Sequence, residues 1–339
     1  MSIFKNSKVL ITGISGFVGG QIAKSLLDLG ADVHGLVRDQ KTNTFTSISG
    51  LNNRIDFIAG DLCNLQLLER IISERQIEYV FHLAAQVEVG VGLQNPYLTF
   101  ESNIRGTYTL LEAVRRFNSS VKAVVVASSD KSYGEYPMDA MPYQEHYPLL
   151  AKYPYDTSKA CADMVASAYA NDVYGLPIVT TRFCNIYGPG QLNFSAIIPE
   201  AMRSLIEHYP FEPRSDGKMI RDFLFVEDVA DLYIKIAEHL AKDPSKYRGQ
   251  VYNAGPNDPV SMRDLLKTIF HQHNQHNEYE LVLKKMMKKD TYGEISTQSM
   301  SHDKALLHFG WQPTTTLPDG LIKTYTWYEE YLKKNTNGA

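Results

Sequence analysis

The sequence predicts a doubly wound parallel α/β sheet with a smaller lobe toward the carboxyl end, and three observations carry that prediction. Short β-branched apolar runs alternate with amphipathic stretches through the first half, and a glycine triplet follows the first run. Past residue 185 the alternation gives way to proline-, glycine- and aromatic-rich connections such as YGPGQLNFS. Strands alternating with helices build a parallel sheet with helices on both faces.

The runs are KVLIT (8–12), DVHGLV (32–37), RIDFIA (54–59), YVFHLA (79–84), AVVVAS (123–128) and PIVTTRF (177–183). Between the first two, GGQIAKSLLDLG (19–30) places Ile22, Leu26 and Leu29 on one helical face and ends at Gly30, a C-terminal cap. In the second half, Asp216-Gly217 predicts a hairpin turn. HQHNQHNEYE (271–280) holds three histidines at a spacing that matches no metal-ligand pattern, so it is expected to be a solvated loop with no metal. Only the closing KKNTNGA reads as frayed.

Composition narrows the class. The chain has 339 residues, 44% hydrophobic and 21% charged, enough for a sizeable core in one large or two intimate domains. A net charge of -4, with no basic run interleaved with aromatics, argues against a nucleic-acid partner. The three cysteines, Cys63, Cys161 and Cys184, are widely spaced and odd in number, which fits a reducing cytosol better than a disulfide framework or a zinc site. Neither a signal peptide nor an apolar run long enough to span a bilayer is evident, so the expectation is a cytoplasmic protein away from membranes.

ITGISGFVGG places Gly13, Gly16 and Gly19 after the first strand and at the start of the first helix. Glycines there let the backbone approach a pyrophosphate seated on the positive end of the helix. Asp61, in GDL after the third strand, is placed to hold an adenine amine. The first half is therefore expected to be a Rossmann-like dinucleotide-binding domain over residues 1–185, with return segments near 221–254, and residues 186–339 mainly a substrate lobe. After the second strand, VHGLVRD offers Arg38 before Asp39. An arginine accepts a 2′-phosphate whereas an acid prefers free hydroxyls, so the lean is to NADP over NAD.

Two further stretches carry chemistry. In VVVASSDKSYG (124–134) a buried strand ends in Ser128, Ser129, then an adjacent acid and base, Asp130 and Lys131. A charge pair at that place costs desolvation, which chemistry would explain; the alternative is a local ion pair capping the strand. In YPYDTSKACADMVASAYA, Tyr155 and Lys159 are four apart on one helical face. An ammonium beside a phenol favours the phenolate, so Lys159 is expected to bring Tyr155 toward a working proton acceptor.

TGISGFVG, YDTSK and SSDKSYG together resemble the extended short-chain dehydrogenase/reductase family of nucleotide-sugar epimerases and dehydratases. HLAAQ (82–86), Asn103 in SNIRGT, RFCNIYGPG (182–190) and RDFLFVEDVA (221–230) agree, so the resemblance covers nearly the whole chain. It implies a bound nicotinamide cofactor held by Gly13, Gly16, Phe17, Val18, Gly19, Arg38, Asp61, Leu62, Ala84, Ala85, Gln86, Tyr155 and Lys159. It also implies a nucleoside-diphosphate sugar contacted by Glu88, Ser129, Asn185 and Arg221, the last two on the diphosphate, with Arg182 bracing the fold. Tyr155 would take the proton of a sugar 4-hydroxyl, with Ser129 bonded to the same oxygen.

In the 4,6-dehydratases of the family, the two positions after the hydroxyl residue carry an acid that protonates the departing 6-hydroxyl and a base that removes the carbon-5 proton. Asp130 and Lys131 occupy them. The usual base is glutamate; the aspartate–lysine pairing is most similar to the CDP-glucose 4,6-dehydratase branch. Either Lys131 is the base, or it stabilises the enolate while Glu88 or Glu135 takes the proton. A 4,6-dehydratase is thus the expected activity, a 4-epimerase the alternative, and a dinucleotide sensor without chemistry a third that the intact Ser129, Tyr155 and Lys159 oppose. A homodimer is expected through the helices bearing Tyr155 and residues 96–117, with Leu110, Leu111 and Val114 as the apolar stripe, which could equally bury itself against the sheet.

Overall fold

The computed structural model describes residues 2–39, 42–117, 119–289 and 295–336. Each apolar run becomes a strand within one or two residues of its expected ends: β1 (Lys8–Thr12), β2 (Asp32–Val37), β3 (Ile55–Ala59), β4 (Tyr79–His82), β5 (Ala123–Ala127) and β6 (Ile178–Phe183). Six shorter strands follow, β7 (Asn185–Tyr187), β8 (Ile220–Arg221), β9 (Phe223–Phe225), β10 (Val251–Ala254), β11 (Val260–Ser261) and β12 (Thr297–Gln298). The main sheet has the order β10-β6-β5-β4-β1-β2-β3 with every pairing parallel. Strand order reverses between β1 and β4, and a crevice at such a switch point is where open α/β sheets bind ligands.

Period-two alternation along β1 divides the core. Val9 and Ile11 join one buried cluster with Ile22 and Leu26 of the first helix (Phe17–Asp28) and Leu232 and Ile236 of the helix Val226–Lys242. Leu10 joins the cluster on the other face, with Leu68, Ile72, Val124 and Val126. Both faces are therefore covered by helices, as a parallel sheet requires.

Leu110, Leu111 and Val114 belong to this second cluster and are fully buried within one chain. Of the two surfaces open to it, a partner helix or the sheet, the stripe covers the sheet and packs the helix Gly106–Arg116 onto it. The segment 96–117 is also not one uniform α-helix: a π-turn over Glu101–Arg105 interrupts it.

A third cluster, including Tyr187, Met202, Phe223, Phe225, Leu266 and Tyr328, forms beyond the carboxyl ends of the strands. Two small sheets, β11-β8-β12 and β7-β9, connect it to the main sheet.

Three local expectations are corrected here. Gly217 does turn, with φ +75, and the Asp216 side chain accepts from Lys218 N at 3.0 Å, but no strand pair flanks it and there is no hairpin. The histidine-rich stretch is mostly helical, divided between the helices Met262–Gln272 and His276–Met286, because its rings are used for packing. His271 packs on His276 at 4.3 Å and His273 stacks on Tyr325 at 3.7 Å. At the carboxyl end the last helix runs to Thr336, so the first part of KKNTNGA is ordered helix, and residues 337–339 lie outside the described residues. Among the described residues no helix is long and apolar enough to cross a membrane.

Candidate active site

One cleft of about 1760 Å³ runs along the carboxyl ends of the main strands and under the third cluster, and the candidate residues named above for cofactor, substrate or catalysis lie on its wall, Glu135 excepted. At one end is the glycine turn. Gly13 has φ +77, and a Cβ there would meet Ala84 N at 2.7 Å across the switch point; a Cβ on Gly19 would meet the Gly13 carbonyl oxygen at 2.3 Å. The first helix has no capping side-chain bond at Gly16 and no acid in its first turn, so its positive end faces the cleft uncompensated. Arg38 and Asp39 are both exposed at the end of β2, and Asp61 folds back to accept from Cys63 N at 2.7 Å.

Ala84, Ala85, Gln86 and Glu88 follow β4 on a loop that Asn103 holds. Its side chain accepts from Gln86 N at 2.7 Å and donates to Gln86 O at 3.0 Å and Ser158 Oγ at 2.8 Å, tying that loop to the helix Pro154–Ala170. Beneath it, His82 bridges Thr12 and Thr107. Burial, with Lys159's charge second, pulls its pKa down to about 3, which keeps the imidazole neutral.

The strand end that carries Ser129, Asp130 and Lys131 is locked as a 3₁₀ turn, Asp130–Tyr133. Ser129 Oγ accepts from Lys131 N at 3.2 Å, Ser132 Oγ donates back to Ser129 O at 2.5 Å, and Tyr133 OH donates to Asn253 at 2.8 Å. Behind the turn, Arg182 holds both oxygens of Asp163, at 2.7 and 3.1 Å, and donates to Tyr133 OH at 2.8 Å, the bracing expected of it.

The turn parts the acid from the base. Asp130 points inward, fully buried, accepting from Ser129 Oγ at 2.8 Å, while its Oδ2 is buried with no partner. Lys131 reaches the other way, to Gln298 Oε1 at 3.4 Å. The strand-capping ion pair is thus not formed. Glu135, one of the two glutamates weighed as an alternative base, is exposed and off the cleft wall, whereas Glu88 lies on it.

Tyr155 and Lys159 share a face of their helix and are both buried. The expected electrostatics are nevertheless reversed. Burial pushes the Tyr155 phenol well above the usual tyrosine range, the nearby Asp130 charge adds to this, and the Ser129 hydrogen bond opposes it. Lys159 does not lower it, because its ammonium is turned to the Ala127 carbonyl at 2.8 Å. Burial in turn brings Lys159 down to about 8.

Lys159 therefore binds its proton less tightly folded, at about 8, than unfolded, near 10.5. The penalty is full below pH 8 and fades as pH rises toward 10.5, so the fold gains stability across that window. Lys159→Met is expected to raise the unfolding free energy at pH 7 by up to roughly 3 kcal/mol. Denaturant melts at pH 7 and pH 10 check this; an unchanged midpoint at pH 7 would show that the ammonium is solvated.

Asn185, on β7, donates to Asp222 O at 3.3 Å. Arg221, on β8, lies on the wall with its guanidinium engaged by the carbonyls of Ile220 at 2.8 Å, Ile295 at 2.5 Å and Ser296 at 3.3 Å. Two residues escaped the sequence analysis. Asp222 is fully buried, accepts from Met300 N at 2.8 Å, Ser299 Oγ at 3.1 Å and Asp258 N at 3.1 Å, and is pushed up to about 6, chiefly by burial. A carboxylate inside the apolar RDFLF was a signal for it. Gln298 sits in the short stretch TQSMS, which carries no periodicity or motif to find it by.

A parallel sheet with a glycine turn at its switch point, and a hydroxyl, acid, base, phenol and ammonium gathered at the strand ends, defines the short-chain dehydrogenase/reductase class of epimerases and dehydratases. Within that class the chain belongs to the family described as GDP-mannose 4,6 dehydratase, whose sequence model matches residues 10–324.

Among its relatives is an Arabidopsis thaliana trifunctional UDP-glucose 4,6-dehydratase/UDP-4-keto-6-deoxy-D-glucose 3,5-epimerase/UDP-4-keto-L-rhamnose-reductase, 30% identical over 96% of this chain and 48% of that protein. The chain thus spans about half the length of such plant relatives. Another is the CDP-glucose 4,6-dehydratase of Salmonella typhimurium, 28% identical over 98% of this chain and 93% of that one. A solved structure, dTDP-glucose 4,6-dehydratase from Bacillus anthracis in complex with NAD, superposes with a TM-score of 0.82 at 27% identity, covering 96% of this chain and 98% of that one.

Proposed function

We propose that the protein is a nucleotide-sugar 4,6-dehydratase, converting a nucleoside-diphosphate hexose to its 4-keto-6-deoxy form. The observation that carries this reading is Asp130: a buried carboxylate with one oxygen on Ser129 and the other unpartnered, in the same cleft as Tyr155 and parted from its neighbouring lysine. A capping ion pair would have used both charges on each other; this turn keeps them apart, Asp130 on Ser129 and Lys131 on Gln298.

The cleft suits a dinucleotide. The uncapped, acid-free helix end and the glycine turn offer a pyrophosphate its backbone donors. Gly13, Gly16, Phe17, Val18 and Gly19 would hold the phosphates, Asp61 and Leu62 the adenine side, and Ala84, Ala85, Gln86, Tyr155 and Lys159 the nicotinamide end. When bound, the nicotinamide supplies reversible oxidation, removing electrons at carbon 4 and returning them at carbon 6. Arg38, exposed at the end of β2 beside Asp39, supports the finer preference for NADP over NAD, since a guanidinium accepts a 2′-phosphate.

Around it the chain's own groups divide the proton transfers. Tyr155 accepts the 4-hydroxyl proton, with Ser129 bonded to the same oxygen. The 4-ketone acidifies carbon 5, from which Lys131 takes the proton, and Asp130, as the carboxylic acid, gives one to the departing 6-hydroxyl, releasing water; Lys131 returns a proton to carbon 5 when carbon 6 is reduced, and the proton gained at Tyr155 balances, through solvent, the one Asp130 gave up. Glu88, on the loop after β4, and Asn185 and Arg221, toward the lobe, position the sugar and diphosphate. Residues 1–185, with the return segments near 221–254, are assigned to the dinucleotide, and the rest of residues 186–339 mainly to the nucleotide sugar.

Mass spectrometry of a panel containing CDP-glucose, dTDP-glucose, UDP-glucose and GDP-mannose tests the reading. Loss of one water from at least one member is expected. A product of unchanged mass, epimeric at carbon 4, would make the protein an epimerase, and no turnover with retained dinucleotide binding would make it a sensor.

A further inference from the structure

Lys131 extends from the catalytic turn to Gln298 Oε1, at 3.4 Å. Gln298 is fully buried, does not line the cleft, and has its Nε2 buried with no partner. An ammonium only donates, so the amide must face it with oxygen; the reversed amide would set donor against donor.

The glutamine is itself fixed from several sides. Its backbone pairs with Arg221 in the β12–β8 ladder. The next residues are held by the Asp222 carboxylate, on Ser299 Oγ and Met300 N, and by Tyr143, whose N donates to Ser299 O at 2.8 Å.

We propose that Gln298 is the positioning residue for Lys131: a neutral acceptor that holds the amine at the edge of the cleft without fixing its charge. The inference rests on the reading of Lys131 as the group acting at carbon 5. The physical point is the choice of amide over carboxylate. An amide oxygen accepts from both the ammonium and the neutral amine, so Lys131 keeps its place while gaining and losing a proton. A carboxylate there would favour the ammonium and hold the amine out of use as a base. An aliphatic side chain would leave the long, flexible lysine unaimed.

The charged and titratable groups that share the cleft wall with Lys131 include Asp130 on its own turn, Glu88 on the loop after β4, Tyr155 and Lys159 from the helix Pro154–Ala170, and Arg221 from β8, with Asp222 electrostatically coupled to Asp130. None changes when position 298 is substituted, so a comparison of Gln298→Glu with Gln298→Leu isolates the amide.

The test uses full-length protein labelled with ¹³Cε-lysine, the Lys131 signal being assigned by its loss in Lys131→Met. Gln298→Glu is expected to move the Lys131 titration up by about 1–3 pH units, a readout that needs no turnover. The alkaline-rising limb of kcat on the active panel sugar should move with it, so that activity lost at pH 7 returns at higher pH. Gln298→Leu should lower kcat by about 10–10²-fold at every pH, with little change in KM.

An unmoved Lys131 signal in Gln298→Glu would overturn the proposal, as would wild-type kcat in Gln298→Leu. Gln298→Glu, close in size to the original, keeps the test decisive should the leucine variant not fold. Failure of the underlying reading is separate: Lys131→Met would then still incorporate deuterium from D₂O at carbon 5 of the product, whatever position 298 does to the titration.

Discussion

Tyr155→Phe is expected to lower turnover on the true nucleotide sugar by about 10²–10⁴-fold, the span of a lost acid–base group, while dinucleotide binding stays nearly unchanged. The substitution removes one oxygen and keeps the ring, which is buried at the start of its helix. In the structure that oxygen is a phenol held in its protonated form by burial and by Asp130's charge. To accept a proton it must first lose one, so the wild-type rate is expected to rise with pH on the limb that Tyr155 sets, and the variant's residual rate to be flat across it. Stopped-flow turnover against pH, beside a dinucleotide titration, measures both. Wild-type turnover in the variant would reassign the proton acceptor; lost dinucleotide binding would make Tyr155 a cofactor-holding residue first.

The same pair shows how far sequence reasoning reaches. Strands and the phosphate turn were legible because they rest on local signals: β-branched runs, period-two alternation and glycine spacing. Gathering Ser129, Asp130, Lys131, Tyr155 and Lys159 on one cleft followed from motif order. What spacing could not supply was direction. A four-residue separation puts Tyr155 and Lys159 on one helical face, but whether the ammonium points to the phenol or to the Ala127 carbonyl depends on the end of β5 beside it. Leu110, Leu111 and Val114 form a genuine stripe, and a stripe does not say which surface it covers. Gln298 meets Lys131 from 167 positions away along the chain, through a two-residue strand with no pattern of its own.

Asp130→Asn is expected to lower water loss by at least about 10²-fold while sparing the oxidation that precedes it. A 6-hydroxyl departs as water only if it is protonated as it leaves, and an amide has no proton of suitable acidity to give. Oxidation at carbon 4 calls on Tyr155 and Ser129, so absorbance in the reduced-nicotinamide band should build up on mixing with substrate, without dehydrated product. The fold is not expected to suffer. Asparagine keeps an oxygen for the Ser129 hydroxyl, and the atom replacing Oδ2 takes a place that has no partner to lose. An epimerase responds otherwise: its ketosugar needs no acid at carbon 6, and 4-epimer interconversion would survive the substitution. Full dehydration by Asp130→Asn would return the carboxylate to a structural role. Surviving epimer interconversion, with no dehydration in the wild type, would replace the dehydratase by the epimerase.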